Sequence, residues 1–329
     1  MDNYCGPEFQ LVETVSWEEL RARGGFAPRT QPLLVKGAVR QWPAWERWSF
    51  EYLAQLKRRD GSAVVTSFQN GLVEQGSTRQ PLMLPTAPYL LDLAARAEAC
   101  RREGIDDIGL LPGRRLRTLA PGERFHLDWG HMQSFVHDRA YLAQWYILNE
   151  FPQLRRDFAI RSLWPGLRWT WEYVFIGPAN TVTGMHYDFP NNWFCQTRGT
   201  KEFLLFPPEN DPHMSRSLKY DWGATLSDIN ISDLPGQPGI AARFAQAKGL
   251  YARVEAGDAL FVPKRTWHAV VALEPSISLA VFGLRVPEIL FEGGASEARS
   301  LLHRLHLYRW GNCTCHRMDG APPDAYAVE

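Results

Sequence analysis

From about residue 168 the chain breaks into a train of short strand-like runs, and this feature constrains the fold more than any other. The runs are "RWTWEYVFIG", "TGMHYD", "WFCQTR", "KEFLLF", "YARVE", "DALFVP", "HAVVAL" and "SISLAVFGL". The first alternates large residues at period two and ends in a Gly-Pro turn, the pattern of a strand with two unlike faces. Turn-rich pieces such as "FPPENDPH" and "LPGQPG" separate the later ones. Many short strands at regular spacing predict a β-sandwich or a small barrel.

Upstream the texture differs. "SWEELRARG" (16–24) predicts a short helix with Ser16 as N-cap and Glu19 at the capping-box position. "QPLLVKGAV" (31–39) reads as a buried strand, while 48–59 and 86–104 carry helical spacing. The segment 135–154, which holds Tyr141 and Gln144, is compatible with strand or helix. Leucines at helical spacing over 296–310 predict a last helix, and "DGAPPDAYAVE" has the composition of a disordered tail. The economical organisation is one β core with helical flanks. Its parts are an N-terminal α/β flank over 1–134, a core over 135–290, and a C-terminal helix and tail over 291–329.

At 329 residues the chain can bury a sizeable core. Lysine plus arginine (36) balance aspartate plus glutamate (36), so no global field recruits polyanions, which argues against nucleic acid as a partner. Five scattered cysteines make no disulfide framework and suggest a reducing compartment. No signal-peptide pattern opens the chain and no apolar run is long enough to span a membrane, so a cytoplasmic location is expected. Most of the thirteen tryptophans read as packing residues, as in "QWPAWERW".

Within the strand train, His186 and Asp188 stand two residues apart, so on a strand they project from one face. Two histidines and a carboxylate on one face of an iron(II) ion leave open positions suited to oxygen activation with a chelating co-substrate. A third ligand would have to come from a distant strand, and His268, in "GDALFVPKRTWHAVVAL", is the candidate. His-x-Asp alone is common by chance; the joint pattern carries the argument.

"HYDFPNNWFCQTRGTKEFLLFPP" followed by "GDALFVPKRTWHAV" resembles the JmjC, cupin-8-like Fe(II)- and 2-oxoglutarate-dependent oxygenases, in the branch of the asparaginyl hydroxylase that inhibits hypoxia-inducible factor. The match is strongest over 169–285 and continues upstream in "LLVKGAVRQWPAWERWSFEYL". The resemblance implies a mainly β chain with helical flanks, folded as a double-stranded β-helix, the jelly roll of the cupin and JmjC type. It implies His186, Asp188 and His268 as iron ligands, and Lys201 as partner of the distal carboxylate of 2-oxoglutarate. Thr183 and Tyr141 would bond that same carboxylate, and Asn192 would lie near the iron-chelating end. The implied reaction is hydroxylation of a C–H bond with O2, releasing succinate and CO2. The substrate would be a protein side chain or a small molecule; demethylation of an N-methyl group and hydroxylation of a tRNA base are alternatives within the family. A cupin-like metabolite-binding protein without catalysis is the competing class. Relatives that dimerise through C-terminal helices suggest a homodimer built on 296–310.

One departure concerns the last core strand, where Ala280 stands in place of a family asparagine. "RFHLDWGHM" offers a second His-x-Asp, His126 and Asp128, with His131 and His137 following, but no Gly-x-Lys accompanies it. This segment is expected at the rim of the substrate entrance. Cys313, Cys315 and His316 form "CTCH", which lacks the spacing and the fourth ligand of a zinc site and reads as tail.

Overall fold

The computed structural model describes residues 5–68, 72–73, 82–134, 140–165, 169–284, 288 and 293–313. Two large sheets face each other, with strands numbered in chain order. One runs β13 (Ala224–Leu226), β10 (Val182–Asp188), β16 (Trp267–Ala272), β12 (Lys201–Phe206), β14 (Lys248–Val254), β1 (Glu8–Leu11), β7 (Phe125–His126), with β5 (Leu72–Val73) paired to β10. The other runs β2 (Thr14–Ser16), β3 (Leu33–Lys36), β15 (Ala259–Val262), β11 (Asn191–Arg198), β17 (Ser276–Leu284), β9 (Trp169–Gly177), β8 (Leu142–Trp145). A separate two-stranded antiparallel sheet pairs β4 (Val65–Phe68) with β6 (Leu82–Pro85). The chain is mainly β with helical flanks, a jelly roll.

Period-two alternation sorts the side chains into three layers. On β12, Phe203 and Leu205 point between the sheets and pack with Phe194, Val270 and Ala280. Leu204 and Phe206 point outward into a layer with Phe244, Tyr251 and Trp267. Behind the second sheet, Trp193, Phe261 and Val281 pack with Trp42, Trp48 and Leu90 from the helical flank. Every residue of β12 is buried because both faces are covered, which is why "KEFLLF" reads as a nearly continuous apolar run. Gly199 turns β11 into β12 with φ +76, and a side chain there would strike the backbone of Pro275 and Ser276.

Residues 8–16 lace the two sheets together. β1 runs parallel to β14, with Glu8 opposite Lys248, and Val12 N–H donates to the Tyr251 carbonyl at 2.9 Å. β2 then joins the other sheet parallel to β3. The helix Trp17–Ala22 follows with its capping box formed, Ser16 and Glu19 each bonding the other's backbone N–H. On the outer face of β12, the buried Glu202 carboxylate accepts from Leu110 N–H (2.8 Å), Leu111 N–H (3.1 Å) and Tyr251 O–H (2.6 Å). Gly109, at φ +110, lies so close to that carboxylate that a Cβ would collide with it.

The flanking helices depart from the sequence reading in two places. The segment 48–59 is helical only over Phe50–Ala54, because a turn at Gly61 (φ +81) lets Lys57 bridge to Ala63 instead. The last helix is Gly294–Arg304 and ends before His306, whose φ is +65. Its buried residues are Ser296, Ser300 and His303, while Leu301, Leu302, Leu305 and Leu307 are exposed. The leucine stripe therefore faces away from the chain's own core. The predicted disordered tail lies outside the described residues.

Candidate metal and co-substrate site

Between the sheets, at the β10 end, lies a cavity of about 340 Å³, within the usual size range of small-molecule sites. β10 carries His186 and Asp188 to it, and a shift in pairing between Thr183 and His186 sets His186 directly opposite His268 on the neighbouring β16. The two imidazole centroids are 4.2 Å apart, and His268 Nε2 lies 3.6 Å from Asp188 Oδ2. One candidate ligand atom from each of His186, Asp188 and His268 falls within 4.8 Å of the others, and no other such group exists among the described residues.

The rings are oriented from behind. His186 Nδ1 lies 2.7 Å from the Gly184 carbonyl and His268 Nδ1 2.9 Å from the Thr266 carbonyl. A carbonyl can only accept, so each Nδ1 carries the proton and each Nε2 is left with its lone pair free, the arrangement found behind metal-bound imidazoles. Burial pushes the Asp188 carboxyl up to about 6, opposed by His186 and assisted by Asp221. Burial, with His186 adding, pushes His268 down to about 3. Asp188 and His268 are both penalised by being out of water, and a bound dication would relieve the carboxylate's share.

Lys201, at the start of β12, points into the same cavity and is 2% exposed. Its Nζ lies 5.2 Å from the Phe194 ring centroid, 5.8 Å from that of Tyr141 and 6.0 Å from that of Phe175. No carboxylate pairs with it among the described residues, and desolvation lowers it to about 7. Tyr141 is buried and bonded to the Thr183 side chain; burial raises its phenol and Thr183 partly opposes that. Asn192 Oδ1 is buried without a hydrogen-bond partner among the described residues. The fold thus brings all seven sequence-predicted residues, His186, Asp188, His268, Lys201, Thr183, Tyr141 and Asn192, to one cavity. Ala280 lines it too, opposite Phe194 and Tyr173 in the sheet.

Sequence reasoning missed the outer half of the cavity. Trp171, Tyr173 and Phe282 line it, with Phe189, Trp222 and Asp221 at its edge. Tyr146 O–H donates to Tyr173 O–H at 3.0 Å, and Gln144 lines the wall with φ +58. Trp171 and Tyr173 were accessible from the period-two pattern of "RWTWEYVFIG", once Phe175 was known to face inward. Asp221 and Trp222 sit in an irregular insert that offers no such signal.

The second histidine cluster is elsewhere. β7 closes the far edge of its sheet from β10, and no residue of 125–134 lines the cavity, so the expected rim position is wrong. His126 Nδ1 faces the Gly6 carbonyl, Asp128 Oδ1 accepts from Gly130 N–H, and His131 Nε2 accepts from Gly109 N–H. These are loop-fixing bonds. His137 lies outside the described residues, as do Cys315 and His316; Cys313 is buried beside Tyr220.

A jelly roll with this cavity is the architecture of cupins, and the chain belongs to the cupin-like domain family, whose match covers residues 21–282. It is similar to "tRNA wybutosine-synthesizing protein 5" of Gallus gallus, 24% identical over 261 residues, or 79% of this chain and 72% of the relative. It is also similar to "Jumonji C domain-containing protein 5" of Drosophila melanogaster, 30% identical over 151 residues, or 43% of this chain and 35% of the relative. A third relative is "HSPB1-associated protein 1" of Bos taurus, 27% identical over 154 residues, 46% of this chain and 29% of that one. The chain thus spans about a third of the length of the Drosophila and Bos relatives. The expectation against nucleic acid finds no support beside a relative named for tRNA, and net charge is a bulk quantity that says nothing of local patches. Among the described residues no helix is long and apolar enough to cross a membrane.

Proposed function

We propose that the chain is an Fe(II)- and 2-oxoglutarate-dependent hydroxylase. One observation carries the reading: a His-Asp-His group with both Nε2 atoms free shares its cavity with a buried lysine that has no counter-ion among the described residues. A metabolite-binding cupin needs neither an unpaired lysine nor a facial triad. His186, Asp188 and His268 would hold the metal. Lys201, with Tyr141 and Thr183 beside it, would take the far carboxylate of a dicarboxylic co-substrate, since a buried ammonium is strongly favoured by an anionic partner. Asn192, whose buried Oδ1 lacks a donor, would bond the co-substrate or a water near the metal.

The bound iron and 2-oxoglutarate would supply oxidation of a C–H bond to an alcohol by O2, with succinate and CO2 released. The chain's own work is to orient and to exclude water. Phe175, Phe194 and Phe203 wall the lysine end, and the Tyr146–Tyr173 pair borders the substrate end. The relative named for tRNA supports keeping a nucleic-acid substrate beside protein side chains and small molecules.

The deciding experiment is titration of anaerobic, metal-free protein with Fe(II) and then 2-oxoglutarate, following the weak visible metal-to-ligand charge-transfer band. The expected result is a band that is lost in His186→Ala and that needs far more 2-oxoglutarate in Lys201→Ala. Folded, iron-loaded protein without the band would overturn the proposal in favour of a binding module.

A further inference from the structure

Beside the cavity lies a second, shallow cleft of about 50 Å³. Asp221, Trp222, Gly223 and Ala224 line both, so the two share a wall. Strand alternation explains the placement. His186 and Asp188 face the cavity, while Tyr187 between them turns the other way, onto Trp267 at 4.7 Å, and lines the cleft.

Arg216, Lys219, Arg299 and Arg309 line this cleft against a single carboxylate, Asp221. Several surface arginines elsewhere are paired with carboxylates. Arg58 pairs with Glu150, Arg101 with Glu98, Arg117 with Asp106 and Arg124 with Glu8, all within 3.3 Å. Arg216 and Arg299 are exposed and have no such carboxylate among the described residues. In a chain of zero formal net charge, this is a local concentration of cations. One open aromatic face stands among the cations: Trp222 is 46% exposed, whereas Tyr308 is half-buried with Arg309 over its ring at 5.4 Å.

We propose that this cleft is the docking track for a single-stranded polynucleotide, whose phosphates meet the cations while one unstacked base passes Trp222 into the cavity. Repeating phosphates suit a row of cations, and an exposed aromatic face suits an unstacked base, the combination used by single-strand binders. An acidic peptide would use the cations and leave the aromatic face idle. The cavity's outer half, with Trp171, Tyr173 and Phe282, fits a flat heterocycle, and chemistry on a base requires that it leave its stack. The proposal rests on the hydroxylase reading only for what happens to the base after it arrives.

The test is fluorescence anisotropy on the full chain without metal, using a labelled single-stranded RNA of mixed sequence and, in parallel, DNA of equal length and an oligoglutamate peptide. The expected result is RNA or DNA binding whose logarithmic salt slope is about −3, as four phosphate contacts would give. The double variant Arg216→Glu, Arg299→Glu should weaken it about tenfold or more and flatten the slope by roughly half, with the melting temperature unchanged. No binding of either nucleic acid at low salt, binding indifferent to the double variant, or preference for oligoglutamate would each overturn the proposal. The iron and 2-oxoglutarate titration, run on the same variant, separates the two readings. A retained band with lost RNA affinity isolates the cleft, whereas RNA affinity without any band would count against the hydroxylase and leave the cleft standing.

Discussion

Replacing Lys201 with methionine should make the ligand-free protein more stable. The side chain is buried among Phe194, Phe175 and Tyr141, and desolvation lowers it from 10.5 to about 7. Below pH 7 the lysine is charged in both the folded and the unfolded chain, so its full burial cost is present. Between pH 7 and 10.5 the unfolded chain binds the proton and the folded chain does not, so wild-type stability rises with pH by up to about 1.4 kcal/mol per pH unit. Lys201→Met removes that slope. At pH 7 the variant should exceed wild type by about 2 kcal/mol, within the range seen when buried charges give way to apolar groups, and the gap should narrow by about as much again by pH 9. Urea unfolding of metal-free protein at pH 6, 7, 8 and 9 measures both quantities. A variant less stable than wild type at pH 7, with an unchanged pH slope, would refute the claim that Lys201 waits without a counter-ion. With a divalent metal present for both proteins, adding 2-oxoglutarate should then stabilise wild type further and Lys201→Met much less.

Other expectations follow from single side chains. His268→Ala should lower divalent-metal affinity by about two orders of magnitude or more, since one of three converging donors is lost, and isothermal titration with Mn(II) would expose an unaffected site. Tyr141→Phe keeps the ring beside Lys201 and removes one hydrogen bond, so the 2-oxoglutarate concentration for half-saturation should rise roughly fivefold, or about 1 kcal/mol, with the fold intact by circular dichroism. Glu202→Gln cannot satisfy both the Leu110 and Leu111 donors, because one carboxamide position is itself a donor. It should cost about 2–3 kcal/mol in chemical denaturation, and a loss below half of that would mean that Glu202 does not hold the loop at Gly109.

Much of the core was legible because both faces of β12 and of β15 to β17 are buried, so these strands appear as largely apolar runs between turns, while β9 showed as period-two alternation. The capping box at Ser16 was legible for a local reason: its bonds join residues three apart. Lys201 and Tyr141 alike were reached through family resemblance, and Tyr141 sits where local signals conflict. The C-terminal helix was legible as a helix, but leucine spacing does not say which side faces the protein. Here Ser300 and His303 are buried, with His303 stacked on Tyr220 at 4.2 Å, and the leucines are left outside. Asp221 and Trp222 reach the cavity from an irregular insert between β12 and β14, where no periodicity exists to be read.

The lacing of residues 8–16 through both sheets also sets a schedule for synthesis. β1 needs β14 as its neighbour, and Glu8 pairs with Lys248. At roughly 5–20 residues per second on a ribosome, the first strand waits more than ten seconds for its partner to be made. His268 emerges later still, after β14 and β15. During that interval β11 and β12 lack the hydrogen-bonded neighbours on either side that β14 to β17 supply, which makes the nascent chain, rather than the finished protein, the form most exposed to aggregation and most dependent on chaperones.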